Sequence, residues 1–119
     1  MLIKRRWLTA CAVGICLSTA CRLEQASDLV SLPPSARITH VHYGDWSGDG
    51  MVTFRLPSTR SSENWLDEIW RRNPVPKNEQ GGDYKAMKNV RQLIGGGHHR
   101  ILSFDRTTSL YTYDILLEK

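Results

Sequence analysis

The stretch ITHVHYGDWSGDGMVTFRL, residues 38–56, decides the fold. It consists of three consecutive segments: ITHVHY (residues 38–43), GDWSGDG (residues 44–50) and MVTFRL (residues 51–56). In the first and third segments, successive side chains fall into two alternating sets, and these sets would form the two faces of a β-strand. The middle segment is rich in glycine and aspartate, which favour turns. The stretch therefore predicts an antiparallel β-hairpin.

Two segments that follow have the apolar spacing of α-helices. Ser61 or Ser62 can cap the first helix, which we expect to end near Arg72. Asp83 can cap the second, which we expect to run to Ile94 and to stop at three glycines. The apolar side chains that define the two helices are Trp65, Leu66, Ile69 and Trp70 in the first, and Tyr84, Met87, Val90 and Ile94 in the second.

Two more strands, over residues 99–104 and 110–117, complete the set of elements. The order is then strand, strand, helix, helix, strand, strand. Strands segregated from helices predict an α+β domain. We expect a small antiparallel sheet of about four strands with both helices packed on one face, while the other face is either open to water or a docking surface.

The amino-terminal residues have the layout of a secretory signal. Lys4, Arg5 and Arg6 precede an uncharged, mostly apolar run of 14 residues, 7–20, which ends at Cys21. A membrane-spanning helix needs about 20 apolar residues. The run is therefore short for a transmembrane anchor and has the length of a cleaved signal core.

The end of this run, Leu17-Ser18-Thr19-Ala20-Cys21, resembles the processing site of bacterial lipoproteins. The resemblance implies that Cys21 receives a diacylglyceryl group, that the chain is cut before it, and that the new amino terminus is acylated. It implies a lipid-anchored protein of the bacterial cell envelope that faces the periplasm, and Arg22 after the cysteine favours the outer membrane over the inner one. An ordinary cleaved secretory signal and an uncleaved anchor are the alternatives.

Cleavage before Cys21 divides the chain into a signal peptide (1–20), a lipid-anchored tether (21–36) and a single domain (37–119). Of the 16 lysines and arginines, three lie in the signal, which leaves 13 against 12 acidic residues. Nucleic acid is not an expected partner, because binding it requires a strongly basic surface. No disulfide is expected either, since the other two cysteines, Cys11 and Cys16, lie in the signal.

The four histidines are the candidate metal ligands. They fall into two pairs, His40 with His42 and His98 with His99, and imidazole is a common ligand of zinc and copper. The turn beginning at Asp45 matches the start of a calcium-binding loop, but its twelfth position, which needs a bidentate glutamate, is Leu56. We therefore expect no cofactor, with zinc or calcium as the alternatives.

No serine lies in a nucleophile elbow of the Gly-x-Ser-x-Gly type, so the sequence predicts a protein that is not an enzyme. Aromatic residues are common in binding hot spots, and the predicted partner-binding residues are Asp45, Trp46 and Asp49. The expected function is that of an accessory protein of the envelope that binds another macromolecule, as an assembly factor, an inhibitor or an immunity-type protein. A periplasmic metal-binding protein and a structural envelope protein without a tight partner are the alternatives.

Overall fold

The structure is a computed structural model, and it describes residues 26–44, 48–95 and 97–117. The elements of these residues, in chain order, are β1 (Arg37–Tyr43), β2 (Gly50–Arg55), α1 (Ser62–Arg72), a 3₁₀ turn (Lys77–Glu79), β3 (Asp83–Met87), β4 (Val90–Ile94), β5 (His98–Asp105) and β6 (Leu110–Leu117). The six strands form one sheet with the order β1-β2-β6-β5-β4-β3, and every neighbouring pair is antiparallel.

The predicted fold class, an α+β domain with two helices on a four-stranded sheet, is wrong. The described residues form a mostly β domain in which a single helix, α1, has 11 residues. The second predicted helix is instead the hairpin of β3 and β4, in which Asp83 pairs with Ile94 and Met87 pairs with Val90 around a two-residue turn. The predicted hairpin of β1 and β2 is confirmed, with Tyr43 paired to Gly50.

The error has a physical cause in the residues of the second hairpin. Their apolar spacing and good helix formers favour a helix locally, but such preferences amount to only a few tenths of a kcal/mol per residue. Pairing with β5 gives the backbone of β4 a full ladder of hydrogen bonds and buries Arg91 and Leu93 on one face. All five residues of β3 are exposed, so this strand has no alternation of buried apolar and exposed polar residues that would mark it as a strand in the sequence.

One face of the sheet, here called the inner face, carries the hydrophobic core. Helix α1 and the N-terminal segment, residues 26–36, both pack on this face, and neither lies on the opposite, outer face. The core combines side chains from the sheet, from α1 and from the N-terminal segment. They are Ile38, Val52, Phe54, Leu102, Tyr111, Tyr113 and Ile115 from the sheet, Trp65, Leu66 and Ile69 from α1, and Ala26, Leu29 and Val30 from the N-terminal segment.

The first predicted helix is confirmed as α1. The hydroxyl of Ser61 accepts a hydrogen bond of 3.2 Å from the backbone N–H of Asn64, which satisfies one of the free donors at the start of the helix. Arg71 and Arg72 lie in the last turn, where positive charge is favourable. The indole N–H of Trp65 donates to the carbonyl oxygen of Pro57 at 2.8 Å and ties the helix to the end of β2. None of the helices that the structure describes is long and apolar enough to cross a membrane.

The described part of the predicted tether is docked on the domain. Asn73, at the end of α1, accepts a hydrogen bond of 2.7 Å from the Ser31 N–H through Oδ1 and donates one of 3.0 Å to the Ser31 carbonyl oxygen through Nδ2. The side chain of Leu29 fills the space beside Gly50, where an added Cβ would lie 2.9 Å from its Cδ1. Residues 26–36 are thus a structural part of the fold.

Candidate binding site at the turn end of the sheet

A pocket of about 240 Å³ opens on the outer face, where β1, β2 and β6 lie side by side. We call it the turn-end pocket, because it lies at the end of the sheet where the turn joins β1 to β2. Its lining combines two carboxylates, one imidazole, two apolar side chains and backbone: His42, Gly44, Asp49, Gly50, Met51, Asp114 and Leu116.

The register of the sheet brings the central residues of the pocket together. His42 on β1 is paired with Met51 on β2, and Met51 is paired with Asp114 on β6. Paired residues on adjacent strands point to the same face, and neighbouring strands lie about 4.8 Å apart. The three side chains therefore form a row across the outer face, with Met51 in the middle.

Gly44 brings the second carboxylate to the pocket. Its N–H donates a hydrogen bond of 2.8 Å to the carbonyl oxygen of Asp49, which closes the base of the turn. A Cβ added at Gly44 would lie 2.7 Å from both Cγ and Oδ2 of Asp49. Glycine at this position therefore permits the Asp49 carboxylate to lie directly against the backbone, and any side chain there would displace it.

The surroundings of Asp114 disfavour its negative charge. Partial burial raises the pKa of Asp114 above its ordinary value of 3.8, and the negative charge of Asp49 raises that pKa further. Both causes disfavour the ionised form of Asp114. A positive charge placed in the pocket would favour that ionised form and relieve the repulsion.

The walls of the pocket add apolar surface to this charge. Met51 is half-buried, and Leu116 is 47% exposed although it is a large hydrophobic residue. Lysine and arginine carry a long aliphatic stem below the charged group, and the stem gains from contact with apolar side chains. The pocket therefore combines the two properties that such a side chain needs.

Of the predicted partner-binding residues, Asp49 lies in this pocket. Asp45 and Trp46 lie outside the described residues, as does the predicted lipidation site Cys21, and all three stay predictions. Sequence reasoning missed Asp114 as a site residue. The available signal was a single carboxylate within the apolar strand β6, but its proximity to Asp49 depends on the pairing of β2 with β6, which the sequence did not reveal.

The structure does not bring the two histidine pairs together. His40 and His42 are exposed on β1, whereas His98 and His99 lie on β5, and the strand order places β2 and β6 between them. Three strand spacings correspond to about 14 Å, which is too far for ligands of one metal ion. Within residues 26–44, 48–95 and 97–117, no three His, Cys, Asp or Glu side chains form a group that could hold a metal ion.

A second pocket, of about 220 Å³, lies at the opposite end of the sheet beside the start of α1. Its cationic residue, Arg60, is already engaged, with its guanidinium 3.5 Å from the carboxylate of Glu68 and 4.5 Å from the ring centroid of Trp65. The turn-end pocket, in which two like charges face each other, is therefore the stronger candidate. No protein-family model, curated protein or solved structure matches the chain.

Proposed function

We propose that this chain is a lipid-anchored protein of the bacterial cell envelope that acts by binding another protein, without catalysis. We further propose that the turn-end pocket receives a lysine or arginine side chain of that partner. The anchor is supported by the resemblance of residues 1–21 to a lipoprotein signal. The binding role is supported by one observation above all, the two carboxylates of Asp49 and Asp114 in one open pocket.

The charge of the pocket favours a cationic group over other ligands. The pKa of Asp114 is raised by burial and by the negative charge of Asp49, so an approaching cation would stabilise its ionised form, whereas an anion would be repelled by both carboxylates. Hydrogen bonds between an ammonium or guanidinium group and a carboxylate are among the stronger ones in proteins. A lysine or arginine head group would therefore lie between Asp49 and Asp114.

The surroundings of the pocket favour a protein partner. Among the described residues, α1 and the N-terminal segment both pack on the inner face of the sheet and leave the outer face uncovered, which favours contact with a macromolecule there. Within the lining of the pocket, Met51 and Leu116 offer apolar contact. An apolar surface beside a charged anchor point is typical of protein–protein interfaces, in which a few residues supply most of the binding energy.

Affinity capture with matched variants tests this proposal. The mature protein and the variant Asp49→Asn/Asp114→Asn are used as baits on solubilised envelope membranes, and the captured proteins are quantified by mass spectrometry. Removing both charges should lower recovery of a specific partner at least tenfold, which corresponds to about 1.4 kcal/mol of binding free energy.

The control bait is Asp83→Asn, which removes an exposed carboxylate of β3 at the opposite edge of the sheet. This bait should recover the same partner as the unmodified protein. Equal recovery with all three baits would show that the pocket is not the binding site, and recovery of no specific protein by any bait would contradict the binding role itself.

A further inference from the structure

We infer that the lipid anchor holds the turn end of the sheet against the bilayer, so that the turn-end pocket opens at the surface of a zwitterionic membrane. The inference rests on the proposed function, because it requires that Cys21 is acylated. It adds the position of the binding site relative to the membrane and identifies the lipid surface as a neighbour of that site.

The first step is the point at which the chain joins the fold. Ala26 is 0% exposed and belongs to the hydrophobic core. Its carbonyl oxygen accepts hydrogen bonds of 2.9 Å from the N–H of Leu29 and 3.0 Å from the N–H of Val30. The chain is therefore fixed to the domain from residue 26 onward.

The second step is the location of this point within the domain. The side chain of Leu29 contacts Gly50, the first residue of β2. The hydroxyl of Tyr43, the last residue of β1, donates a hydrogen bond of 3.3 Å to Asp28. Both contacts lie on the inner face at the turn end of the sheet, and the turn-end pocket lies at the same end on the outer face.

The third step is the length of chain between the lipid and the fold. Only five Cα–Cα steps separate Cys21 from Ala26, and fully extended chain spans at most about 3.6 Å per residue. The Cα of Ala26 can therefore lie no farther than about 18 Å from that of the lipidated cysteine. The six steps of β6 from Leu110 to Leu116 alone extend about 20 Å, so the opposite end of the sheet can lie farther from the lipid than the turn end, where residues 26–30 join the fold.

The surface at the turn end fits a zwitterionic lipid headgroup layer. Tyr43 is 50% exposed and Leu116 is 47% exposed. Tyrosine is enriched where proteins meet the membrane–water boundary, because its ring is apolar and its hydroxyl is polar. The carboxylates of Asp28, Asp49 and Asp114 at this end would be repelled by anionic lipids, which makes neutral headgroups the matching surface.

A fluorescence-quenching experiment tests the inference. The acylated protein is purified with one added cysteine, either Leu116→Cys near the pocket or Thr107→Cys in the exposed turn between β5 and β6. Because Cys21 is blocked by lipid and Cys11 and Cys16 are removed with the signal, the added thiol is the single site for a fluorophore. The protein is reconstituted into phosphatidylcholine vesicles that contain a lipid with a nitroxide on its headgroup.

Quenching should be several-fold stronger at position 116 than at position 107. The matched control inserts 20 Gly and Ser residues between Gln25 and Ala26, which adds a flexible spacer with a reach of about 25 Å. With this insertion, the difference between the two positions should disappear.

Two results would overturn the inference, and they are distinguishable. Equal quenching at both positions in protein whose acylation has been verified by mass spectrometry would overturn it and leave the proposed function intact. A mass that shows no acyl groups on Cys21 would overturn the inference together with the anchor on which it rests.

Discussion

At the scale of single residues, Asp114 contributes unfavourably to stability. Its pKa is raised in the folded protein, chiefly by burial and then by Asp49, so folding at neutral pH places a charged carboxylate where the charged form is disfavoured. A group with a raised carboxyl pKa binds its proton more tightly in the folded state. The free energy of unfolding therefore falls as pH rises from the ordinary value of 3.8 to the raised pKa, and the loss persists above it.

We predict that Asp114→Asn stabilises the protein at pH 7 and has no such effect well below pH 3.8, where the wild-type carboxyl is protonated in both states. Urea unfolding of the two proteins across this pH range measures the difference. A destabilised Asp114→Asn variant at pH 7 would mean that the carboxylate has a structural role. Stabilisation together with weaker partner capture is the combination expected of a binding residue.

At the scale of elements, α1 and the hairpin of β1 and β2 were predictable, because local signals and tertiary packing agree there. In α1, the cap at Ser61 and the apolar stripe that includes Trp65 and Ile69 both favour the helix that the packing requires. In residues 83–94, the helical spacing of Tyr84 and Met87 conflicts with the strand pairing. The structure follows the strand pairing, because β4 also pairs with β5, which lies later in the chain and gives no local signal in residues 83–94.

The candidate site was predictable to the same limited degree. Asp49 lies in a turn that the glycines around it predict, so the local sequence was sufficient to identify Asp49 as a candidate site residue. Asp114 and Leu116 join the site only because β6 pairs with β2, with Gly50 paired to Ile115, which lies 65 residues later in the chain. A contact between strands so distant in sequence has no local signal in one chain.

The docking of the N-terminal segment on α1 gives a prediction at this scale. Asn73→Ala removes the two hydrogen bonds to Ser31 and a third, of 2.8 Å, from Nδ2 to the carbonyl oxygen of Ile69. We expect a loss of about 1–3 kcal/mol in the free energy of unfolding. Hydrogen exchange at the Ser31 amide should accelerate more than exchange at amides in the centre of β6.

Asn78→Ala is the matched control, because Asn78 is an exposed residue of the 3₁₀ turn. It should leave both the stability and the exchange at Ser31 unchanged. If Asn73→Ala behaved like this control, the Asn73 hydrogen bonds would not contribute to stability, and apolar packing alone would hold residues 26–36 on the domain.

At the scale of the whole molecule, the two ends of the sheet carry opposite charge. The turn end has the carboxylates of Asp28, Asp49 and Asp114, whereas the other end has several exposed basic residues. These are Arg37, Arg55, Lys88 and Arg106, which outnumber the exposed carboxylate of Asp105 on the strands at this end. Residues 21–119, which carry 13 lysines and arginines against 12 acidic residues, therefore still present an acidic end and a basic end. If Cys21 is acylated as we propose, the short link from Cys21 to Ala26 would bring the acidic end closer to the membrane.

Lipid attachment at Cys21 is the claim on which the membrane placement depends, and the mass of the membrane-extracted protein tests it. Each acyl chain contributes about 0.8 kcal/mol per buried methylene, so several chains on one cysteine would anchor the domain stably. We expect a mature chain that begins at Cys21, carries a diacylglyceryl group and an amide-linked acyl chain, and incorporates labelled palmitate. Cys21→Ser should abolish the labelling, whereas equal labelling of this variant, or a full-length chain with residues 1–20 intact in the cytoplasm, would contradict the claim.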